Sequence, residues 1–168
     1  LVVIVIPSAH MEGLCHELSD RIAPGQIIIN ASKGLRTNTL MTMSQVIESV
    51  LPNVELVALT GPTIAREIAA GEPACAVLSF KNLGVLLTLK KTLTTSHLIF
   101  EMRRDVEGAE LCASLKGIIA IAIGMVDGLG LHSNIQGAVI TYGLNEFSVI
   151  AQFLGIPRDT IYGLSGVG

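Results

Sequence analysis

The sequence contains no tryptophan, and aromatic side chains make up only 4% of its 168 residues. Charged residues are also scarce at 15%, and the formal net charge is −3. Surfaces that bind nucleic acid need clustered cations and often aromatic side chains on which bases stack. The composition therefore excludes the usual nucleic-acid-binding classes, and we expect no nucleic-acid partner.

The cysteines and histidines lack the spacing of a metal site. Cys15, Cys75 and Cys112 lie far apart without a CxxC pair, which is typical of reduced thiols in a cytoplasmic protein. Because each cysteine lies in an apolar segment, we expect all three to serve packing. The four histidines show no pair at the i, i+4 spacing of a zinc-binding helix. We therefore expect no metal.

The chain also lacks a GxGxxG loop, a GxSxG motif and a basic leader. A dinucleotide-binding sheet normally begins with the glycine-rich loop, so the chain is expected to begin on a later strand of such a sheet. The longest apolar run, residues 111–126, is shorter than the roughly 20 residues that a bilayer-spanning helix needs. We therefore expect no membrane span.

Half of the residues are hydrophobic, which suits a large core. Strand-like runs alternate with helical spacing through residue 102, and this alternation predicts a mostly parallel sheet with helices on its faces. The predicted strands are 1–6, 26–31, 55–60, 74–80 and 98–102, and the predicted helices are 10–22, 39–51, 64–70 and 83–93. From residue 105 only helices are predicted, at 106–127 and 134–154, followed by a loop. Residues 1–6 are expected to be buried on both faces.

Two of the strand ends carry residues suited to an anion. In an open α/β sheet, ligands bind beyond the carboxyl ends of the strands. Lys33 and Gly34 follow the second predicted strand. Gly61, Pro62 and Thr63 follow the third and are expected to open a helix, where free N–H groups attract anions. Each pattern also fits ordinary turn chemistry. Together they predict a cleft for a phosphorylated or carboxylated ligand.

Lys116 is the only charged residue between Glu110 and Asp127, inside a helix that is apolar on every side. Such a helix is expected to be buried all round. A buried lysine is costly unless it has a partner or a function, and the alternative is a side chain that reaches the surface. We interpret Glu110 as a solvated or capping residue.

Six motifs occur in an order that resembles the bacterial-type NAD(P)-dependent glycerol-3-phosphate dehydrogenase family. They are VIPS at 5–8, ASKGL at 31–35, LTGPTIAREIAAGEP at 59–73, GAELCASLKGIIAIAIGMVDGLGLHSN at 108–134, AVITYGLNE at 138–146 and YGLSGVG at 162–168. The resemblance implies an α/β fold: the later part of a Rossmann-type sheet over residues 1–104, followed by an all-helical substrate domain over 105–168. It also implies an internal fragment of the enzyme, inactive by itself.

The resemblance further implies roles for individual residues. Lys116 matches the family's catalytic proton acceptor, and Lys33 matches a lysine that touches both substrate and cofactor. Gly61 and Thr63 match substrate-binding positions, and Ala65 matches an alanine at the cofactor. The implied reaction interconverts glycerol 3-phosphate and dihydroxyacetone phosphate with NAD or NADP, in the cytoplasm, for glycerophospholipid synthesis. A base for the hydroxyl proton is what such an oxidation needs.

The sequence departs from the family pattern at two positions. Gly117 stands where the family usually has asparagine after the catalytic lysine, and Tyr142 stands where it has arginine. Two alternatives remain: a sister two-domain dehydrogenase for a hydroxy acid or hydroxyacyl-CoA, and a non-catalytic binding protein that kept the fold. The two long apolar helices are expected to expose surface, which favours a homodimer.

Overall fold

The computed structural model describes residues 1–168, except for the side chains of Leu86 and Leu87. A sheet of five strands lies in the first part of the chain, with the strands side by side in chain order. They are β1 (Val2–Ile4), β2 (Ile27–Asn30), β3 (Glu55–Thr60), β4 (Ala74–Phe80) and β5 (Leu98–Arg103). All neighbours pair in parallel except β3 and β4, which are antiparallel. The prediction of a mostly parallel sheet is confirmed.

Four helices connect these strands at the predicted places, although each is shorter than predicted. They are α1 (Met11–Leu18), α2 (Met43–Val50), α3 (Ala65–Ala69) and α4 (Gly84–Leu93). The start of α2 has a local cause. The Thr42 hydroxyl accepts from the backbone N–H of Gln45, and the Gln45 side chain accepts from the backbone N–H of Thr42. This reciprocal cap satisfies two N–H groups and begins the helix at Met43.

Two apolar clusters lie against the sheet. The first joins β1, β2 and β3 to α1 and α2 through buried residues that include Ile4, Met11, Ile28 and Ile47. The second joins β2 to β5 with α4. The prediction that β1 is buried on both faces is wrong, because Val3 is 54% exposed while Ile4 is buried. As an edge strand, β1 packs its Ile4 side under α1 and α2, and no element of the described chain covers the opposite side.

The second part of the chain is helical, as predicted. It contains α5 (Val106–Gly128), α6 (Ser133–Phe153) and α7 (Arg158–Ile161), which pack together around a buried cluster with Cys112 and Phe147. The helix α7 lies where a loop was predicted. Pro157, with φ of −59°, precedes its single turn, and such a short helix leaves no periodic pattern in a sequence. The division at residues 104 and 105 stays a prediction.

The helix α5 is only partly buried, so the prediction of burial on all sides is wrong. Its first two turns pack against β3, β4 and α2, whereas Ile118 and Ile121 further along are 65% and 67% exposed. The helix has 23 residues and is longer than the apolar run at 111–126. Among the described helices, it alone is long and apolar enough to cross a membrane, judged by length and composition.

Candidate functional site

A cleft of about 780 Å³ lies between the carboxyl edge of β2 and β3 and the middle of α5. Its lining includes Lys33, Gly61, Thr63 and Lys116, so the structure brings together four of the five residues singled out from the sequence. Ala65 lies outside the lining, exposed at the first position of α3. The rest of the wall is largely apolar, from α5 and α6.

Lys116 extends from α5 into this cleft and is half-buried. Its ammonium donates a hydrogen bond to the carbonyl oxygen of Gly168. Burial lowers the pKa of Lys116, the positive charge of Lys33 lowers it further, and Cys112 partly opposes the shift. Because the amine loses its proton more easily than an ordinary lysine, it suits a general base.

The loop after β2 brings Lys33 to the mouth of the cleft. Lys33 is exposed, and the next residue, Gly34, has a φ of +121°. A Cβ at Gly34 would lie 2.9 Å from the Ser8 hydroxyl, so this position needs glycine for both its backbone angle and its space. The N–H of Gly34 donates to the Ser114 hydroxyl at 3.2 Å, which fastens the loop to α5.

Gly61 and Thr63 form the opposite lip, directly after β3. Gly61 is buried with a φ of +110°, and a Cβ there would lie 3.3 Å from Cα of Ala76. The Thr63 hydroxyl donates to the Gly61 carbonyl at 3.4 Å, a long hydrogen bond. The prediction that Gly61, Pro62 and Thr63 open a helix is wrong, because α3 begins only at Ala65.

Glu110 is buried, so the prediction of a solvated or capping residue is wrong. It is 5% exposed and lies six residues before Lys116 on α5. Its carboxylate accepts from the side-chain amide of Asn30 at 2.5 Å and from both the backbone N–H and the hydroxyl of Ser44, at 3.0 and 2.7 Å. Burial raises the pKa of Glu110, and these hydrogen bonds oppose the rise.

A signal for this buried group was present in the sequence. Asn30 ends an apolar strand, and a buried amide needs hydrogen-bonding partners. Glu110 shares one helix face with Val106 and Ala113, both buried. Neither pattern says which partner an amide or carboxylate will find, so the pairing itself could only be seen in the fold.

The cysteines divide into two kinds. Burial, followed by the negative charge of Asp105, raises the pKa of Cys112 to about 12, and burial also raises the pKa of Cys15. The prediction that all three cysteines pack inside is wrong for Cys75, which is exposed near the start of β4 beside exposed Ile99 of β5, whereas Val77 further along the same face is buried. No cluster of three metal-ligating side chains occurs within the described residues.

The two departures from the family pattern have different surroundings. Gly117 lines the cleft, and a Cβ there would meet no atom within 4 Å, so the cleft has room for a larger side chain. Tyr142 is exposed on α6. The arrangement as a whole combines an amine of lowered pKa, a second cation and an apolar wall. These groups can bind a small anion and move a proton beside it.

Comparisons with known proteins agree with these features. The model for the NAD-dependent glycerol-3-phosphate dehydrogenase N-terminus matches residues 1–85, and that for the C-terminus of the same enzymes matches residues 105–168. A curated relative from Geobacter sulfurreducens, glycerol-3-phosphate dehydrogenase (NAD(P)+), is 37% identical over 169 residues, which cover 99% of this chain and 50% of the relative.

Solved structures give the same result. The crystal structure of glycerol-3-phosphate dehydrogenase from Coxiella burnetii is 32% identical with a TM-score of 0.93, over 99% of this chain and 51% of that one. The structure of DsGPDH of Dunaliella salina is 27% identical with a TM-score of 0.90, over 98% of this chain and 29% of that one. The chain spans about half the length of the curated relatives it matches.

Proposed function

Since the chain belongs to the NAD-dependent glycerol-3-phosphate dehydrogenase family, as its motifs predicted, we propose that the protein interconverts sn-glycerol 3-phosphate and dihydroxyacetone phosphate by hydride transfer with NAD or NADP. The observation that carries the proposal is the shared cleft, in which Lys116, with its lowered pKa, lies with Lys33, Gly61 and Thr63. A small phosphorylated alcohol needs a base for its hydroxyl and polar groups for its phosphate, and the cleft offers both.

Lys116 is the proposed proton carrier. In the oxidation, the hydroxyl of glycerol 3-phosphate gives its proton to Nζ of Lys116 while the C2 hydride leaves. In the reduction, the ammonium returns that proton to the oxygen of the forming alkoxide and stabilises its negative charge. The lowered pKa of Lys116 favours both steps, because the group then changes protonation state closer to neutral pH.

The groups around Lys116 suit the substrate's phosphate. The Lys33 ammonium is exposed at the mouth of the cleft, where it can meet a dianion. The Thr63 hydroxyl makes only a 3.4 Å hydrogen bond to Gly61, and a phosphate oxygen can replace that weak acceptor. Gly61 has no side chain, so the substrate can approach the backbone closely.

The cleft also fits the nicotinamide end of a dinucleotide. The cofactor, when bound, accepts the hydride in the oxidation and supplies it in the reduction. Lys33 and Ala65 are the proposed cofactor contacts on this chain. Both are exposed, and the small side chain of Ala65 leaves the approach open. The apolar wall from α5 and α6, with Ile119 and Leu144, excludes water from a reacting ring.

The wider role follows from the chemistry of the product. Glycerol 3-phosphate is the backbone of glycerophospholipids, so the proposal includes a supply of this compound for phospholipid synthesis in the cytoplasm. It also includes a homodimer, because Ile118 and Ile121 expose apolar surface on α5. Sedimentation equilibrium of the full gene product tests the dimer, and a clean monomer would contradict it.

A substrate comparison tests the reaction. The full gene product should oxidise NADH or NADPH with dihydroxyacetone phosphate and not with a hydroxyacyl-CoA precursor or a non-phosphorylated keto acid. Activity restricted to the non-phosphorylated compounds would indicate a sister dehydrogenase. Binding of NADH without turnover of any substrate would indicate a non-catalytic protein.

Lys33→Met probes the phosphate contact in the same assay. The variant should raise the KM for dihydroxyacetone phosphate by about tenfold or more, since a charge-assisted hydrogen bond contributes about 1.5–3 kcal/mol. Lys91→Met, at an exposed lysine of α4, is the matched control and should leave KM unchanged.

A further inference from the structure

We propose that Glu110 is a positioning residue of the cleft, whose buried carboxylate fastens the loop that carries Lys33 to the helix that carries Lys116. The kinetic consequence rests on the proposed function. The structural consequence does not, because it concerns the geometry of the protein without substrate.

Donors from two separate elements converge on Glu110. Asn30, at the end of β2, donates its side-chain amide to Oε1 at 2.5 Å. Ser44, in the first turn of α2, donates its hydroxyl to Oε1 at 2.7 Å and its backbone N–H to Oε2 at 3.0 Å. One side chain of α5 thus holds both β2 and α2 against the helix.

The hydrogen bonds continue from Asn30 to the residue beside Lys33. The Asn30 carbonyl Oδ1 accepts from the N–H of Ser32 at 3.0 Å, and the Ser32 hydroxyl accepts from the N–H of Ile6 at 2.9 Å. Ser32 is buried, so this chain of bonds fixes the start of the loop.

A second tie fixes the other side of Lys33. Gly34 donates its N–H to the hydroxyl of Ser114, which lies one turn after Glu110 on the same face of α5. Lys33 therefore lies between Ser32 and Gly34, and hydrogen bonds connect both of these residues to α5, through Asn30 for Ser32 and directly for Gly34. Its backbone has little freedom relative to Lys116, which lies half a turn beyond Ser114.

The chemistry of the site requires an acceptor with two oxygens. The Asn30 amide, the Ser44 hydroxyl and the Ser44 backbone N–H all donate to Glu110, and an ionised carboxylate has only acceptor sites. A glutamine would turn its NH₂ towards one of these donors and leave it unpaired. Burying a carboxylate is itself costly, so packing alone would be served better by an apolar side chain. A buried carboxyl group that accepts hydrogen bonds from two separate elements indicates a role in fixing geometry.

The geometry matters because Lys33 acts on Lys116 through its charge. The titratable groups that act on Lys116 within the described side chains are Lys33, from the loop after β2, and Cys112, on α5 itself. The facing walls contribute uncharged groups, such as Ile140 and Leu144 of α6. If the loop is released, Lys33 moves away and its repulsion weakens, so the pKa of Lys116 rises.

The test compares Glu110→Gln with Glu107→Gln in the full gene product. Glu107 is an exposed glutamate three residues earlier on α5, paired with Lys81, and serves as the matched control. The reactivity of Lys116 towards acetic anhydride is measured by mass spectrometry over a pH series, without substrate or cofactor. Circular dichroism establishes that each variant is folded.

In Glu110→Gln, the pH of half-maximal acetylation of Lys116 should rise in the same direction as in Lys33→Met, and adding Lys33→Met should raise it little further. Glu107→Gln should titrate as the wild type. In turnover, kcat of Glu110→Gln should fall about 10²-fold, the effect of a misplacement of about 1 Å.

An unchanged Lys116 titration in folded Glu110→Gln would overturn the positioning role, whatever the activity. If the titration shifts as expected but no substrate is turned over by the wild type, the proposed function fails and the positioning role stands. If Glu110→Gln does not fold, Ser114→Ala takes its place, because it removes the hydrogen bond from Gly34 to Ser114 and leaves Glu110 unchanged. It should shift the titration in the same direction, and an unchanged value would overturn the proposal.

Discussion

Two glycines of the cleft are expected to respond to alanine with opposite signs. Gly61 has a φ of +110°, where a side chain is strained, and its Cβ would lie 3.3 Å from Cα of Ala76 and 3.5 Å from the Cys75 carbonyl oxygen. Backbone strain of this kind costs about 1–3 kcal/mol. The two backbone neighbours belong to β4 and cannot move aside without disturbing the sheet.

At Gly117, in contrast to Gly61, alanine is expected to stabilise the protein. Gly117 lies inside α5, and a Cβ there would meet no atom within 4 Å. Alanine removes the conformational entropy of glycine from the unfolded chain, which stabilises a helix interior by about 0.5–1 kcal/mol. The two variants should therefore differ by roughly 1.5–4 kcal/mol in the free energy of unfolding.

Urea unfolding of the full gene product, followed by circular dichroism, measures both variants. Gly61→Ala should lower the free energy of unfolding and Gly117→Ala should raise it. A Gly61→Ala variant within about 0.5 kcal/mol of the wild type would refute the strain argument. A destabilised Gly117→Ala would refute the claim that the cleft has free space at this position.

Three further results are expected. For glycerol 3-phosphate oxidation, kcat/KM should rise with pH through the lowered pKa of Lys116 and then level off, because the base must be deprotonated. Lys33→Met should move this rise to higher pH. A shift to lower pH would contradict the effect of the Lys33 charge on Lys116. Iodoacetamide should alkylate exposed Cys75 well before Cys112, whose burial raises its pKa to about 12, and mass spectrometry showing equal rates would count against the structure. Asp105→Ala should lower the free energy of unfolding in urea by about 1–2 kcal/mol. The Asp105 carboxylate caps α5 by accepting from the N–H of Gly108 at 2.9 Å, and it accepts from the Thr160 hydroxyl at 2.7 Å. A loss near zero would argue against this cap.

Much of the sheet could be predicted from the sequence because its signals are local. The strands Glu55–Thr60 and Ala74–Phe80 have the predicted bounds, since continuous apolar runs end at glycine, proline or charged residues. The exposure of β1 and of the second half of α5 could not be predicted. An apolar pattern shows that a surface can be buried, but it does not show which element covers it.

The site divides in the same way. Lys33, Gly61 and Thr63 could be brought together from the sequence because the ends of neighbouring parallel strands share an edge. The prediction that Lys116 lies in the same site as these residues depended on the family resemblance. Glu110 could not be placed, because its partners Asn30 and Ser44 lie 80 and 66 residues away in the chain. Such a contact depends on the packing of α5 on the sheet, which no local pattern shows.

The role of Lys116 as proton carrier is tested most directly by the rate of hydride transfer in a single turnover by Lys116→Met. The NADH complex of the full gene product is mixed with dihydroxyacetone phosphate, and the loss of NADH absorbance is followed in a stopped-flow instrument. The variant should bind NADH like the wild type but transfer hydride about 10²–10⁴-fold more slowly, the usual contribution of a positioned acid or base. Lys91→Met should match the wild type. Hydride transfer at a near-normal rate in Lys116→Met would contradict the role of Lys116 as the proton carrier.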